Sequence, residues 1–191
     1  VGSPYHDAAG FQDCGAVYRK DGEPVDPFTL IKAEGGNIMR VRIWNDATWT
    51  KYSNLADVEK TIRRARDAGM QILLDFHYSD DWADGDKQIV PAAWAKLDTG
   101  QQAQALYDFT LNTLTALDRK GLMPEMVQVG NETNPELMGG TKDRPINWQR
   151  NAELLNAGIR AVRDAGQTAT PNPRAMLHIA QPEQIAPCSK P

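Results

Sequence analysis

Apolar residues follow two different periods along this chain of 191 residues. Short runs of strand-forming residues occupy positions 37–44, 70–77, 126–129 and 174–180. Between these runs, apolar residues recur every three or four positions, as on the buried side of an amphipathic helix. The repeated helix–strand units predict an α/β protein with a parallel sheet and right-handed connections.

Capping residues indicate where the helices begin and end. Helix starts are predicted at Asp26, Asn54 and about Asn147, because a short polar side chain there can accept bonds from the first free amides. Pro27 fits the first helical position after Asp26. Helix ends are predicted at glycines, which lie at positions 35–36, 69, 121 and 166.

Two architectures fit this order of elements, a doubly wound open sheet and a (β/α) barrel. No Gly-x-Gly-x-x-Gly sequence follows a strand and no phosphate-binding loop is present, so nucleotide binding has no support. Both architectures place active sites at the carboxyl ends of parallel strands. The polar and aromatic residues at the predicted strand ends are Arg42, Trp44, Asp75, His77, Asn131, Glu132 and His178.

Glu132 is the first candidate for a chemical role. It follows the apolar run Met126–Val129, in which Gln128 is the polar exception. A carboxyl group at the mouth of a buried sheet is suited to general acid catalysis. The competing interpretation is that Glu132 is an ordinary exposed loop residue.

The strand that contains Arg42 alternates between two faces. Met39, Val41 and Ile43 are expected to face the helices, and the intervening arginines and Trp44 the opposite side. Arg42 could orient a catalytic carboxylate or substrate, or it could form a structural salt bridge to a carboxylate such as Asp75, and both can hold.

The loop that follows the second predicted strand is rich in polar and aromatic residues. His77 is expected to contact substrate, although a satisfied buried histidine is the alternative. Trp82 and Trp94 could stack on sugars or could plug the loop onto the core. A nucleophilic serine site with Ser79 lacks the Gly-x-Ser-x-Gly turn that would support it.

Composition narrows the classes of partner. The formal net charge is −4 and no basic patch is present, so nucleic acid or an anionic membrane surface is not an expected partner. No apolar stretch approaches the roughly 20 residues that cross a bilayer. The first residues do not form a signal peptide, which leaves secretion open because mature chains lack one. Cys14 and Cys188 could pair or stay free.

No cofactor or metal is expected. The histidines, His6, His77 and His178, lack the spacing of a zinc site. The aspartates at positions 80, 81, 84 and 86 lack the order of a calcium-binding loop, which favours a solvated acidic loop.

Four segments of the chain resemble one known family in the same order. They are residues 40–46, residues 75–94 (Asp75-Phe76-His77-Tyr78-Ser79-Asp80-Asp81-Trp82-Ala83-Asp84, then Gln88 and Pro91-Ala92-Ala93-Trp94), residues 126–134 and residues 156–163. Together they resemble glycoside hydrolase family 53, the arabinogalactan endo-β-1,4-galactanases, from about Asp13 to Glu183.

The resemblance implies a fold and a mechanism. The fold would be a (β/α)8 TIM barrel of the retaining-glycosidase clan, and the reaction hydrolysis of β-1,4-galactan in type I arabinogalactan side chains of pectin by double displacement. Glu132 would be the acid/base. Residues expected to bind substrate are Asn131, Arg42, Trp44, Asp75, His77, Trp82 and His178. The family also implies secretion.

The chain departs from the family in length. A full barrel takes about 250 residues, so residues 1–191 are expected to be one catalytic domain that is incomplete on its C-terminal side. About five βα units would be present, and the nucleophilic glutamate of the seventh strand would not be in this chain. Glu183 could replace it only at an unsupported position, and an ordinary loop glutamate is the stronger interpretation.

The expected length and the altered residues lead to further expectations. The alternative function is a non-catalytic galactan-binding fragment, and a weaker one is a clan glycosidase that acts on another β-glycan. An open barrel edge is expected to cause self-association. Pro4 is awkward where a first strand should lie, and Gly85 stands where a proline is usual in the family.

Overall fold

A computed structural model describes residues 2–3, 8–141 and 145–180, with side chains from residue 10. His6, Glu183 and Cys188 lie outside the described residues, as does Pro4. The strands in chain order are β1 (Gly2–Ser3), β2 (Arg19–Lys20), β3 (Glu23–Pro24), β4 (Ile38–Ile43), β5 (Gln71–Phe76), β6 (Lys87–Gln88), β7 (Met126–Val129), β8 (Gly140–Thr141) and β9 (Arg174–Met176). The helices are α1 (Ala8–Asp13), α2 (Pro27–Ala33), α3 (Leu55–Asp67), α4 (Thr99–Asp118) and α5 (Trp148–Gly166), with a 3-10 turn at Ala92–Trp94.

The central sheet has five parallel strands in the order β1-β4-β5-β7-β9. Each strand therefore pairs with the next sheet strand in the chain. A doubly wound sheet reverses its order at a switch point, whereas a (β/α) barrel adds strands in sequence. The sheet is thus part of a (β/α) barrel, which resolves the two predicted architectures and agrees with about five βα units.

The predicted helix caps are confirmed. Asp26 Oδ1 accepts bonds from the amides of Phe28 (3.0 Å) and Thr29 (3.1 Å). Asn54 Oδ1 accepts from the amide of Asp57 (3.0 Å), and Asn147 Oδ1 from that of Arg150 (3.1 Å). Each cap satisfies an amide that the first helical turn leaves without an intrahelical acceptor.

The last strand is shorter than its apolar run predicts. β9 ends at Met176, opposite Gln128 of β7. Beyond it the chain follows the loop after β7, because the amide of Thr133 donates to the carbonyl of His178 (2.9 Å) and the amide of Ala180 donates to Oδ1 of Asn134 (2.8 Å). These bonds fix His178 beside the residues that follow β7.

The hydrophobic core lies between one face of the sheet and helices α3, α4 and α5. Its strand members alternate as predicted, and they include Met39, Val41, Ile43, Ile72, Leu74, Phe76, Val127 and Val129. The other face carries the polar residues, with Arg42 paired in register to Asp75 and Asp75 to Gln128. A site can therefore form on this second face without disturbing the core.

Two smaller features complete the description. No helix among the described residues is long and apolar enough to cross a bilayer. Cys14 is exposed after α1.

Candidate active site

The turn after β7 brings Glu132 to the carboxyl edge of the sheet. Gly130 has a φ of +82°, and a Cβ atom there would lie 2.5 Å from Cγ2 of Thr133, so only glycine fits without a shift. Glu132 itself has a φ of +46°. Non-glycine residues rarely adopt this conformation, and where they do the surrounding structure has to hold them in it.

The carboxylate of Glu132 is half-buried and has a fixed partner. Its Oε2 atom accepts a hydrogen bond from the amide of Gly85 at 3.1 Å. A proline at this position would have no N–H to donate, so the bond depends on a residue such as glycine that keeps its amide hydrogen. The loop after β5 thereby orients the carboxylate from one side.

Gln88 holds the backbone on which Glu132 sits. Its Nε2 atom donates to the carbonyl oxygens of Asn131 (2.7 Å), Asp84 (2.9 Å) and Glu132 (3.3 Å). The side chain is 1% exposed. A buried amide that satisfies adjacent carbonyls stabilises the unusual backbone conformation of Glu132.

Asn131 is fixed by partners on both ends of its amide. The Nδ2 atom donates to the carbonyl of Ala83 at 2.7 Å. The Oδ1 atom accepts from Nη2 of Arg40 and lies 2.8 Å from Nδ1 of His178. A flipped amide would place its NH2 group against the arginine, so these contacts define the orientation.

A buried polar network lies beneath Asn131. Oδ2 of Asp75 forms an ion pair with Nη2 of Arg40 (2.7 Å), and Oδ1 of Asp75 accepts from Nε2 of Gln128 (2.6 Å). Gln128 also accepts from Nε of Arg40 at 3.2 Å. Because each charged or polar group is paired, the cost of burying Asp75 is offset. This network links β4, β5 and β7 directly below the candidate acid.

The ion pair with Asp75 corrects one sequence-based interpretation. The sequence suggested Arg42 as its partner, and the register does place Arg42 beside Asp75. Arg40 makes the ion pair, because its long side chain extends along the same face from two residues earlier. The guanidinium of Arg42 lies over the rings of Trp44 (4.0 Å) and Trp82 (3.9 Å) and donates to Oγ of Ser53. It anchors the two indoles by cation–π contact.

His77 occupies a supporting position. Its Nδ1 atom accepts from the amide of Ala83 (3.2 Å), so Nε2 carries the proton and faces Oδ2 of Asp75 (3.2 Å). The ring is buried, and both nitrogens are bonded within the protein. The predicted substrate contact of His77 stays a prediction, since this arrangement gives the ring a task in orienting Asp75.

His178 closes the other side of the site. Its Nδ1 atom lies 3.2 Å from the amide nitrogen of Glu132 as well as 2.8 Å from Asn131. Protonated at Nδ1 the ring donates to Asn131, and unprotonated there it accepts from Glu132. Partial burial lowers the pKa of His178, and the charge of Arg40 lowers it further. The ring is therefore held neutral to lower pH than a free histidine.

The indoles predicted to lie near substrate differ in exposure. Trp82 is 44% exposed, whereas Trp44 is 3% exposed and packs edge-on against Trp82 with 5.6 Å between ring centroids. Trp44 thus supports Trp82 from below. Trp94 packs edge-on against Phe109 and is part of the core boundary.

Carboxylates of the acidic loop form hydrogen bonds and an ion pair within the protein. Oδ1 of Asp84 accepts from the amides of Asp86 and Lys87, and Asp81 pairs with Nζ of Lys87 at 2.6 Å. Among the described residues, no group of three or more His, Cys, Asp or Glu side chains could hold a metal ion.

Sequence reasoning missed three residues of this site, Arg40, Gln128 and Gln88. Alternation had placed Arg40 on the correct face, and Gln128 was the polar exception in a buried strand. Both were signals that a polar partner lay opposite. Gln88 stood in the segment that resembles the family, but its task could not be predicted, because the backbone it binds is close only in the folded chain.

The complete arrangement is a carboxyl group fixed at the mouth of a barrel sheet. It is bounded by a neutral histidine, an oriented amide and an exposed indole. Such a group can donate a proton to a leaving oxygen and later accept one from water.

Comparisons with known proteins identify relatives that share this fold. The sequence model described as Glycosyl hydrolase family 53 matches residues 7–190. The chain is 53% identical over 177 residues to the arabinogalactan endo-β-1,4-galactanase of Cellvibrio japonicus, covering 90% of this chain and 47% of that protein. It is 40% identical over 173 residues to the endo-β-1,4-galactanase of Bacillus subtilis, covering 87% of this chain and 38% of that protein.

A solved structure shares the fold of this chain. A fungal β-1,4-galactanase superimposes with a TM-score of 0.82 and 29% identity, covering 91% of this chain and 51% of that chain. The chain thus spans about half the length of the relatives it matches, or less.

Proposed function

Because the chain belongs to glycosyl hydrolase family 53, we propose that it carries the acid/base side of an endo-β-1,4-galactanase active site. Glu132 is the general acid and base. The substrate is β-1,4-linked galactan, as in the type I arabinogalactan side chains of pectin. Because such a polymer is outside the cell, we also propose that the protein acts there.

The observation that carries this proposal is the fixed position of Glu132. Its backbone is held by Gln88 and its carboxylate by the amide of Gly85. A general acid has to lie within hydrogen-bond reach of the leaving oxygen, and an oriented side chain meets that condition before substrate arrives.

In the proposed reaction, Glu132 protonates the glycosidic oxygen while the bond to the anomeric carbon breaks. A second carboxylate, which we place beyond the five-stranded sheet, attacks that carbon and forms a glycosyl–enzyme intermediate. Glu132 then removes a proton from water, and the resulting hydroxide displaces the enzyme carboxylate with net retention. The two carboxyl groups of retaining enzymes lie roughly 5–5.5 Å apart.

The neighbours of Glu132 have separate tasks in this proposal. Asn131 donates one amide hydrogen to Ala83, and we assign its other hydrogen to the 2-hydroxyl of the sugar. His178 is kept neutral by its lowered pKa, so it places no positive charge beside the acid. Trp82 offers its exposed ring to a sugar face.

The test compares the chain with its Glu132→Gln variant, which keeps the shape of the side chain but has no proton to transfer. Any reducing-sugar release that the chain itself produces from β-1,4-galactan should fall by at least about 100-fold in the variant, the usual contribution of general acid–base catalysis. Galactan binding should persist in both proteins. Equal release by the two proteins would show that the 191-residue chain is not itself active, and the role of Glu132 is then decided in a longer chimera.

A chimera removes the effect of chain length from this test. The chain is joined in register to the remaining strands of the Cellvibrio japonicus relative, and the same variant is made. Activity of the chimera on galactan, but not on cellulose or mannan, with loss in Glu132→Gln, is the expected result. A chimera that cleaves another β-glycan instead would contradict the proposed substrate.

A further inference from the structure

Trp49 is an exposed aromatic residue whose position is fixed. It lies in the loop after β4 and is 59% exposed. Its indole N–H donates to the carbonyl oxygen of Asp80 at 3.1 Å. An exposed indole that is already held in place loses little conformational entropy when a ligand covers it.

Asp80 braces the two loops that carry this indole. Its Oδ1 atom accepts from the amide of Asp46 (3.0 Å), and its Oδ2 atom accepts from the amide of Ala92 (2.8 Å). The loop after β4 and the loop after β5 are therefore joined through one carboxylate. This arrangement explains why an acidic residue stands in an aromatic surface.

The indoles form a row at the carboxyl edge of the sheet. The ring centroids of Trp49 and Trp44 are 5.0 Å apart, and those of Trp44 and Trp82 are 5.6 Å apart. Trp82 precedes Gly85 by three residues, a reach of at most roughly 11 Å, and Gly85 bonds Glu132. The exposed rings of Trp49 and Trp82 therefore both pack against the buried ring of Trp44, on loops beside the candidate acid.

We infer that Trp49 is an additional sugar-binding platform, which receives a galactosyl ring of the polysaccharide outside the two units joined by the bond that is cleaved. This inference rests on the proposed function. The C–H groups on one face of a galactosyl ring are apolar and carry slight positive charge, and the face of an indole is negative. Contact between the two faces also removes apolar surface from water.

The inference predicts a dependence on chain length. We expect a disaccharide to occupy the positions beside Glu132 and to leave the ring of Trp49 uncovered. A hexasaccharide can contact the exposed rings of both Trp82 and Trp49. Removal of the Trp49 ring should therefore weaken binding of the long ligand and leave the short one unaffected.

The experiment measures binding of galactobiose and galactohexaose by calorimetry, in a Glu132→Gln background that prevents cleavage. Trp49→Ala should weaken galactohexaose binding about tenfold, typical for loss of one aromatic contact, with galactobiose binding unchanged. Trp49→Phe keeps a ring but loses the bond to Asp80, and it should restore most of the affinity. Trp148→Ala is the matched control, since Trp148 is an exposed indole at the start of α5.

The outcomes separate this inference from the proposed function. Equal galactohexaose affinity in Trp49→Ala and the background protein would overturn the platform while leaving the acid/base assignment intact. Equal weakening of both ligands, or the same loss in Trp148→Ala, would also overturn it. Absence of binding to either ligand by the background protein would contradict the proposed function and this inference together.

Discussion

At the scale of single residues, the site depends on side chains that bind backbone. Gln88 is the clearest case, because one buried amide group satisfies carbonyl oxygens of Asp84, Asn131 and Glu132. Loss of the donor would remove the hydrogen bond that Gln88 makes to the buried carbonyl oxygen of Asn131. The backbone of Glu132, which has a positive φ, would lose its support at the same time.

Substitution Gln88→Met tests this role, because methionine has a similar length and no donor. The free energy of unfolding should fall by about 1–3 kcal/mol, the cost of leaving buried polar groups unpaired. Urea denaturation measures the change. In the galactanase chimera, kcat should fall more than KM rises, since the substitution disturbs the acid rather than the sugar contacts.

Gln104→Met is the control for this prediction. Gln104 donates to Oδ1 of Asp108 at 2.9 Å on the exposed face of α4, where water can replace the lost bond. Its effect on stability should stay within about 0.5 kcal/mol. A similar small effect for Gln88→Met would show that the backbone of Glu132 does not depend on Gln88.

The partners of individual side chains were the feature that the sequence predicted least well. The place of Asn131 and Glu132 after a buried strand could be predicted, because a buried strand that ends in polar residues is visible in the sequence. The exchange of tasks between Arg40 and Arg42 could not. Both lie on the same face, and which one reaches Asp75 depends on the indoles that attract Arg42 and leave the ion pair to Arg40.

At the scale of elements, the contact of α5 with the sheet is unusually close. A Cβ atom on Gly158 would lie 2.5 Å from Cγ1 of Val129, 3.2 Å from Cδ2 of Leu106 and 3.3 Å from the hydroxyl of Tyr78. Val129 is the last residue of β7, so the distance between α5 and the strand that carries Glu132 is set at this glycine.

Gly158→Ala should destabilise the fold by about 1–3 kcal/mol, because overpacking outweighs the gain of up to about 1 kcal/mol in helix propensity. Gly100→Ala in α4 is the matched control. Its Cβ would meet Oδ1 of Asp98 at 3.6 Å and Oε1 of Glu153 at 3.8 Å, which are ordinary contacts. Chemical denaturation should show loss for the first variant and no loss for the second, and equal effects would refute the close contact.

The start of a helix could be predicted from the sequence where the capping side chain binds an amide only a few residues away. The caps at Asp26, Asn54 and Asn147 were predictable because they bind amides two to three residues away. The end of β9 was not. Residues 178–180 bond to Thr133 and Asn134, which are distant in sequence, and an apolar run cannot indicate when such partners replace a strand.

At the scale of the whole molecule, the order of elements was sufficient to predict the class of fold. Four helix–strand units left a barrel and a doubly wound sheet as alternatives. Strand order distinguishes them, and strand order is a property of long-range pairing that hydrophobic patterns do not encode. The family resemblance supplied the strand order of a barrel. The observed sheet, whose strands pair in chain order, agrees with it.

The edges of this sheet lead to a prediction about the 191-residue chain expressed by itself. Among the described strands, β9 pairs on one side only, with β7. Met176 and Leu177 beside it are 41% and 47% exposed. An open strand edge next to apolar side chains is a template for pairing with another chain. We therefore expect concentration-dependent self-association, measured by light scattering coupled to size-exclusion chromatography.

Two variants locate the association at this edge. Leu177→Lys places a charge beside β9 and should shift the chain toward monomer, because charged residues oppose edge-to-edge pairing. The galactanase chimera supplies strands that cover β9, and it should be monomeric at the same concentration. A monodisperse, cooperatively unfolding monomer of the unmodified chain would mean that this edge is already protected, and that the five strands form a closed unit despite spanning about half of their relatives.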